Sequence, residues 1–322
     1  MLRRLSALLL TTAVILAGCT SPAATPSSLR EIRLPMGYIP SVQYAPFYVA
    51  AERGYFAAEG LTIAFDYSFE TNGVQLVGAN ALPFAVVSGE QVLLARAQGL
   101  PVVYVMAWFQ TFPVAVIAKS DAGINIPADL KGKRIGTPTL DGANFIGLRA
   151  LLAAAGIAPS EVMVEAIGFN QAAALSAGQV DAAVVYANNE PIRLAAQDES
   201  LKVIPVGDFV VLAANGILTN EQTAAQQPEL VRGFLRALMH GLQDTLADPE
   251  AAYAICKKYV TNLADDQVEQ QVLAASIEMW KTDALGRSDP QAWVNMQTTL
   301  LETGLLATQV DLSQAYTNEF VP

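Results

Sequence analysis

Histidine is almost missing from this sequence. His240 stands alone among 322 residues, and cysteine occurs twice, at Cys19 and Cys256. Metal centres and radical chemistry draw on clusters of such residues, so this inventory supplies neither. Basic residues are scarce as well: 19 Lys and Arg stand against 30 Asp and Glu, for a net charge of −11. A body of that sign does not suit nucleic acid or phosphate-rich surfaces. Past the N-terminus no apolar run is long enough to cross a membrane. Charged residues make up 15% of the chain and hydrophobic ones 52%, which excludes a disordered chain and provides for an ample core. Cys256, within the apolar spacing Ala252, Ile255, Cys256, Tyr259, reads as a core residue.

What is present starts at the N-terminus. Arg3 and Arg4 precede an apolar run from Leu5 to Leu16, broken by Ser6, Thr11 and Thr12. Its length fits the apolar region of a secretory signal and is too short for a membrane span. Leu16-Ala17-Gly18-Cys19 follows and resembles the bacterial lipobox. That resemblance implies cleavage after residue 18 and lipidation of Cys19, with diacylglyceryl and palmitate chains, on the extracytoplasmic face of the cell membrane. Two acyl chains anchor far more firmly than one. Residues 19–29, rich in Ser, Thr, Pro and Ala, read as a flexible tether. The mature body would carry about −13, and Cys256 would have no disulfide partner.

From Arg30 onward short β-type runs alternate with helical patterns, the rhythm of a mostly parallel α/β sheet. Strands are expected at Ile32–Met36, Leu61–Tyr67, Phe84–Val87, Pro101–Ala107 and Val114–Ala118, with a helix over Ala45–Arg53 and another after Gly73. A second α/β set follows: strands at Lys133–Gly136, Val162–Ile167, Ala182–Tyr186 and Lys202–Pro205, and a helix over Ala143–Ala155. Val210–Leu218 reads as a strand leading back, and beyond it the chain turns helical. The layout predicts two α/β lobes, one from 30–118 and 211–322, the other from 119–210. Two extended crossings would act as hinges with a ligand cleft between them.

Ala128-Asp129-Leu130-Lys131-Gly132-Lys133-Arg134-Ile135-Gly136 and Leu175-Ser176-Ala177-Gly178-Gln179-Val180-Asp181-Ala182 resemble elements of periplasmic substrate-binding proteins. Tyr38-Ile39-Pro40, Ala45-Pro46-Phe47-Tyr48, Gly54-Tyr55-Phe56 and Glu59-Gly60-Leu61 are similar to the NMT1/THI5-like branch of that class. In order and behind a lipobox, they cover nearly the whole mature chain. The resemblance implies a type II periplasmic-binding-protein fold. It also implies the receptor lipoprotein of an ABC importer, with a membrane permease as partner and riboflavin as the expected ligand. A thiamine-precursor pyrimidine is the alternative. The branch also contains pyrimidine synthases, but such an enzyme needs a cysteine cluster, histidines and a reactive lysine. No enzyme activity, cofactor or metal is expected. A purely structural lipoprotein would not explain two lobes.

Open α/β sheets place ligands at strand ends, and the candidates are taken there. Tyr38, Gln43 and Tyr44 lie in the loop after the first strand, where a tyrosine either stacks on a flat ring or packs under the next helix. Ser88 and Glu90 open a helix after the third strand, with Ser88 a helix cap or a ligand contact. Trp108 and Phe109 end the fourth, as ring-stacking groups or as hinge core. In the second lobe Asp141 and Asn144 flank a helix start, which Thr139 or Asp141 would cap. Tyr186, Asn188, Asn189 and Glu190 follow another strand. By resemblance Glu190 takes the place of an acidic residue that pairs with a pyrimidine; otherwise the asparagines cap the helix and Glu190 sits in its first turn. Asn215, near the return crossing, joins the set. Few Lys or Arg fall at these ends, so the cleft is expected to be neutral and aromatic. That suits an uncharged heterocycle better than a sulfonate, nitrate or phosphate.

Overall fold

The structure is a computed structural model that describes residues 29–261, 263 and 265–322. The expected signal sequence, Cys19 and nearly all of the expected tether lie outside the described residues.

Among the described residues, ten strands divide between two bodies. In the first, β1 (Arg30–Gly37) and β2 (Leu61–Phe69) pair in parallel. β1 packs beside β3 (Phe84–Val87). β3 and β4 (Val102–Ala107) flank β10 (Gly216–Asn220), which is antiparallel to both. The second body is one five-stranded sheet in the order β7 (Met163–Ala166), β6 (Arg134–Thr137), β8 (Ala182–Tyr186), β5 (Val114–Lys119) and β9 (Leu201–Pro205). In this sheet β5 runs antiparallel to both neighbours and the remaining pairs are parallel.

Val114–Ala118 therefore belongs to the second body, not the first. The chain has already crossed at residues 108–113. β5 is buried on both faces, which is why it reads as an unbroken apolar run rather than an alternating one. Two further expectations are corrected. The return strand starts at Gly216, because residues 210–215 are extended crossing without a ladder partner on either side. The helix placed after Gly73 begins at Glu70, directly at the end of β2.

The C-terminal helices Pro228–Ala247, Pro249–Tyr259, Asp266–Trp280 and Pro290–Glu302 start where the sequence offers Pro in the first turn or an Asp cap. Asp265 accepts from the backbone of Gln267 and Val268, and Asp289 from that of Gln291. Val231, Phe234, Leu235, Leu238 and Leu242 form the buried stripe of the longest helix, which lies across Ala45–Glu52. The crossing is so close that a Cβ on Gly241 would fall 2.1 Å from the Pro46 carbonyl oxygen. Cys256 is fully buried against this layer.

Candidate ligand-binding cleft

The crossings run side by side: the Trp108 and Phe109 amides both donate to the Asn215 carbonyl, at 3.0 and 2.9 Å. Above them lies a cavity of about 490 Å³, within the range of about 300–1,000 Å³ usual for small-molecule sites. Its walls come from the ends of β1, β2, β6 and β8, from both crossings and from the helix starts that follow these strands. None of the lining residues is Lys, Arg or His.

Ten of the thirteen ligand candidates line it: Tyr38, Gln43, Tyr44, Trp108, Phe109, Asp141, Asn144, Tyr186, Asn189 and Glu190. Asn215 does too. Their roles differ from one another. Tyr44 is buried and donates to the Met36 carbonyl at 2.6 Å. Trp108 is 3% exposed and already stacks on Tyr44, with centroids 5.4 Å apart and planes 26° from parallel. Trp280 lies 5.7 Å away. Trp108 therefore backs the wall and has little free face to offer a ring. Phe109 sits edge-on to Tyr186 at 6.3 Å. Asn144 spends its amide on the Val184 carbonyl at 3.0 Å, holding its helix to β8.

Ser88, Glu90 and Asn188 are not among the lining residues. Ser88 does not cap its helix either: its hydroxyl is bound to the carboxyls of Glu70 and Glu90. Asn188 is fully buried and pins the two bodies together, donating to Gln43 Oε1 at 3.1 Å and Ser276 Oγ at 2.7 Å. Asp141 and Asn189 occupy the expected N-cap positions, but neither side chain makes the cap bond. The Thr139 hydroxyl donates to the Asp141 carbonyl instead. Asn189 donates to the Tyr38 hydroxyl at 3.3 Å across the cleft and accepts from Arg193 Nε at 2.7 Å. Arg193 in turn grips the buried Glu269 of the other body with two nitrogens, at 2.5 and 3.0 Å.

Several lining residues escaped the sequence reading. Phe69 ends β2, Glu70 and Thr71 open the helix that follows it, and Phe169 and Gln171 lie in and after the loop following β7. Phe169 reaches across the mouth, edge-on to Tyr38 at 4.7 Å and stacked on Phe69 at 5.6 Å. The strand-end rule that selected Tyr38 and Tyr186 was the available signal, left unapplied to β2 and β7.

The acidic groups carry raised proton affinities. Burial pushes the Glu70 carboxyl up to about 7, against the opposing hydrogen bonds from Ser88. Glu90 reaches about 8 through burial and the nearby charge of Glu70. Burial lifts Glu190 to about 6, offset by backbone hydrogen bonds and by Arg193. With no cation lining the walls, the cavity offers ring faces, amides and hydrogen-bond acceptors. It has nothing to neutralise an anion.

Residues 41–252 match the family described as NMT1/THI5 like. A riboflavin-binding protein of Chloroflexus aurantiacus, RibY, is 42% identical over 94% of this chain and 92% of its own. A formylaminopyrimidine-binding protein of Halalkalibacterium halodurans is 28% identical over 88% of this chain and 89% of its own. Among solved structures, the periplasmic aliphatic sulphonate binding protein SsuA of Escherichia coli superposes with a TM-score of 0.72 at 16% identity, over 90% of this chain and 92% of that one. The two α/β bodies thus form the two-lobe fold of the periplasmic binding proteins.

Proposed function

The chain belongs to the NMT1/THI5-like family, and from that premise we propose that it is the solute receptor of an ABC importer, capturing riboflavin between its lobes and passing it to a membrane permease. The observation that carries this reading is the interlobe cavity, walled by Tyr38, Tyr44, Phe109 and Tyr186 and free of cations. A flat, uncharged ring system satisfies such walls; a sulfonate or phosphate would enter without a charge partner. The identity to a riboflavin-binding relative supports the same ligand. Closure is stabilised when one ligand touches both lobes, and the aromatic contacts come from each.

The chemistry is binding rather than catalysis. His240, the sole histidine, and Cys256, buried and the only cysteine among the described residues, do not make up the cysteine and histidine cluster that a pyrimidine synthase needs. The N-terminal lipobox supports tethering through Cys19, which would keep the receptor beside its permease.

Titrating protein lacking residues 1–19 with riboflavin tests the ligand. Loss of flavin fluorescence and quenching of tryptophan at micromolar ligand are the expected results. The absence of both would reject riboflavin, and tighter binding of an aminopyrimidine would favour the reading that the formylaminopyrimidine-binding relative supports. Metabolic labelling with a fatty acid, lost in Cys19→Ser, tests the anchor.

A further inference from the structure

Two carboxyl groups lie together at the floor of the cleft with no basic residue facing them. Glu70 lines the cavity from the first turn of the helix after β2, and Glu90 sits behind it. Between them stands one hydroxyl. Ser88 Oγ is 2.7 Å from Glu70 Oε2 and is also hydrogen-bonded to Glu90 Oε1. A serine hydroxyl has a single proton to give. If both carboxyls were ionised, one would face the lone pairs of Oγ with its own. One of them must therefore be protonated and donate to Ser88.

The surrounding contacts decide which. Glu70 collects three donors: the Ser88 hydroxyl, the Ser88 amide at 3.4 Å, and Asn215 Nδ2 at 3.3 Å on Oε1. The Asn215 amide is held in that sense because its Oδ1 accepts from the Tyr186 hydroxyl at 3.0 Å. Glu90 Oε2 is buried without any partner, which a neutral acid tolerates far better than an anion. The donors thus run from Glu90 through Ser88, and from Tyr186 through Asn215, to converge on Glu70. Gly37 makes room for it: with φ at +83°, it lies where a Cβ would come within 2.6 Å of Glu70 Cγ.

We propose that Glu70 is the specificity-determining acceptor of the cleft, taking a hydrogen bond from a ring N–H or amino group of the ligand, while Ser88 and Glu90 act as positioning residues that keep the charge on it. Each carboxylate oxygen has two lone pairs, and Oε1, beside the cavity-lining Asn215, uses one. This rests on the reading of the cleft as a receptor for a neutral heteroaromatic and deepens it: the ring must present a donor edge. The imide nitrogen of riboflavin does so, as does the amino group of an aminopyrimidine. An anion is rejected by the same carboxylate.

The groups facing Glu70 are all acidic or phenolic. Glu90 lies behind Ser88, Asp141 faces it from the other lobe, and Tyr44 and Tyr186 stand close by. None helps it ionise, and burial pushes it up to about 7. The ionised carboxylate is the stronger acceptor for a donor ligand, so binding strengthens as pH rises through that range.

The test measures riboflavin binding by wild type and Glu70→Gln from pH 6 to 8.5, alongside a flavin methylated at its imide nitrogen. Glu70→Gln is expected to bind riboflavin at least tenfold more weakly at pH 8 and to lose the pH dependence. Wild type is expected to lose a similar factor with the methylated flavin, and the variant to lose nothing further. Glu70→Gln binding within twofold of wild type, or wild type binding both flavins equally, overturns the proposal. The methylated ligand needs no variant, so a misfolded Glu70→Gln leaves the answer intact. Wild type that binds no flavin rejects riboflavin as the ligand. The same variant is then measured with an aminopyrimidine, where a tenfold loss supports the role of Glu70 and no loss removes it. Binding of neither ligand overturns both readings.

Discussion

The two lobes repeat one strand order around different contents. The first runs β2-β1-β3-β10-β4 and the second β7-β6-β8-β5-β9, each with its antiparallel strand in fourth place and directly after a crossing. The first lobe holds the two longest helices described, Pro228–Ala247 and Asp266–Trp280, together with Trp280, Trp293 and the buried pair Glu70 and Glu90. The second closes one face of its sheet on an eight-residue cluster around Ala115, Val185 and Leu194, while its other face, with Val116, Leu148 and Val184, joins the core that runs on into the first lobe. Within it, the ion pairs Lys131–Glu161 and Arg134–Asp181 lie at partly exposed sites where such pairs are worth little. One topology thus serves two tasks. The first lobe is a rigid floor carrying the polar chemistry, and the second is a cover supplying Tyr186, Asn189 and Phe169.

The sharpest way to break that contrast is to overpack each lobe at a glycine. A Cβ at Gly241 in the first lobe meets the Pro46 carbonyl at 2.1 Å and the Ala50 amide at 3.0 Å, both backbone and unable to rotate away. At Gly136 in the second lobe it meets the end of the Ile167 side chain at 2.4 Å, which can turn. Gly241→Ala should cost about 3 kcal/mol or more and Gly136→Ala about 1–1.5 kcal/mol, as read from denaturant midpoints. Equal losses would end the distinction between a rigid floor and a yielding cover.

Proton linkage separates the lobes next. Glu70 and Glu90 bind protons more tightly folded than unfolded, so the native state holds more protons between the unfolded value near 4.5 and their folded values of about 7 and 8. Stability then falls as pH rises across that window and is recovered on acidification. The carboxylates lowered by cations, such as Glu59 and Asp181, lose their contribution only below the ordinary carboxylate range and leave the window undisturbed. Ligand-free protein should be less stable at pH 8.5 than at 5.5 by on the order of 2–4 kcal/mol. Glu90→Gln should remove most of the slope. Glu190→Gln in the second lobe should remove less, its folded value being about 6. A thermal midpoint that climbs with pH would contradict the buried pair.

Sequence alone reaches much of this and stops at identifiable points. The α/β alternation and the cleft between two lobes follow from strand runs and helix stops. Tyr38, Tyr186 and Glu190 are found because they follow strands. Glu70 sits at an equivalent place directly after β2, and it is missed because the helix there is expected to start only after Gly73. Ser88 shows the same difficulty reversed: it has the form of a cap, and its hydroxyl goes to carboxyls 18 residues back and two ahead. Asn188 was placed in the cleft because it follows β8, but its amide bonds Gln43 and Ser276, both distant in the chain. Local sequence signals where a side chain starts, while the competing partner is set by the tertiary fold.

The contacts that hold the cover down give a smaller effect. Arg193→Met keeps the bulk of the side chain and removes the grip on Glu269, whose carboxylate is 3% exposed and would be left buried and unpaired. Ligand-free protein should then open, with a larger radius of gyration in solution scattering. Stability should fall by about 1–3 kcal/mol. An unchanged radius would mean that Asn188 and the aromatic contacts of Phe169 suffice to keep the lobes together.

The smallest effect isolates a single hydrogen bond. Tyr186→Phe keeps the ring that lines the cavity and deletes only the hydroxyl that holds Asn215 Oδ1. Asn215 then loses the partner that aims its Nδ2 at Glu70. The direct loss is about 0.5–1.5 kcal/mol, so riboflavin affinity should fall by less than about tenfold, through geometry rather than through the ring face. Tyr186→Ala removes the ring as well and should cost more. The comparison between lobes turns on the difference. If Phe and Ala lose the same amount, the second lobe contributes Tyr186 for its hydroxyl alone. If Phe loses nothing and Ala much, the lobe is a ring-bearing cover and the polar reading belongs wholly to the floor.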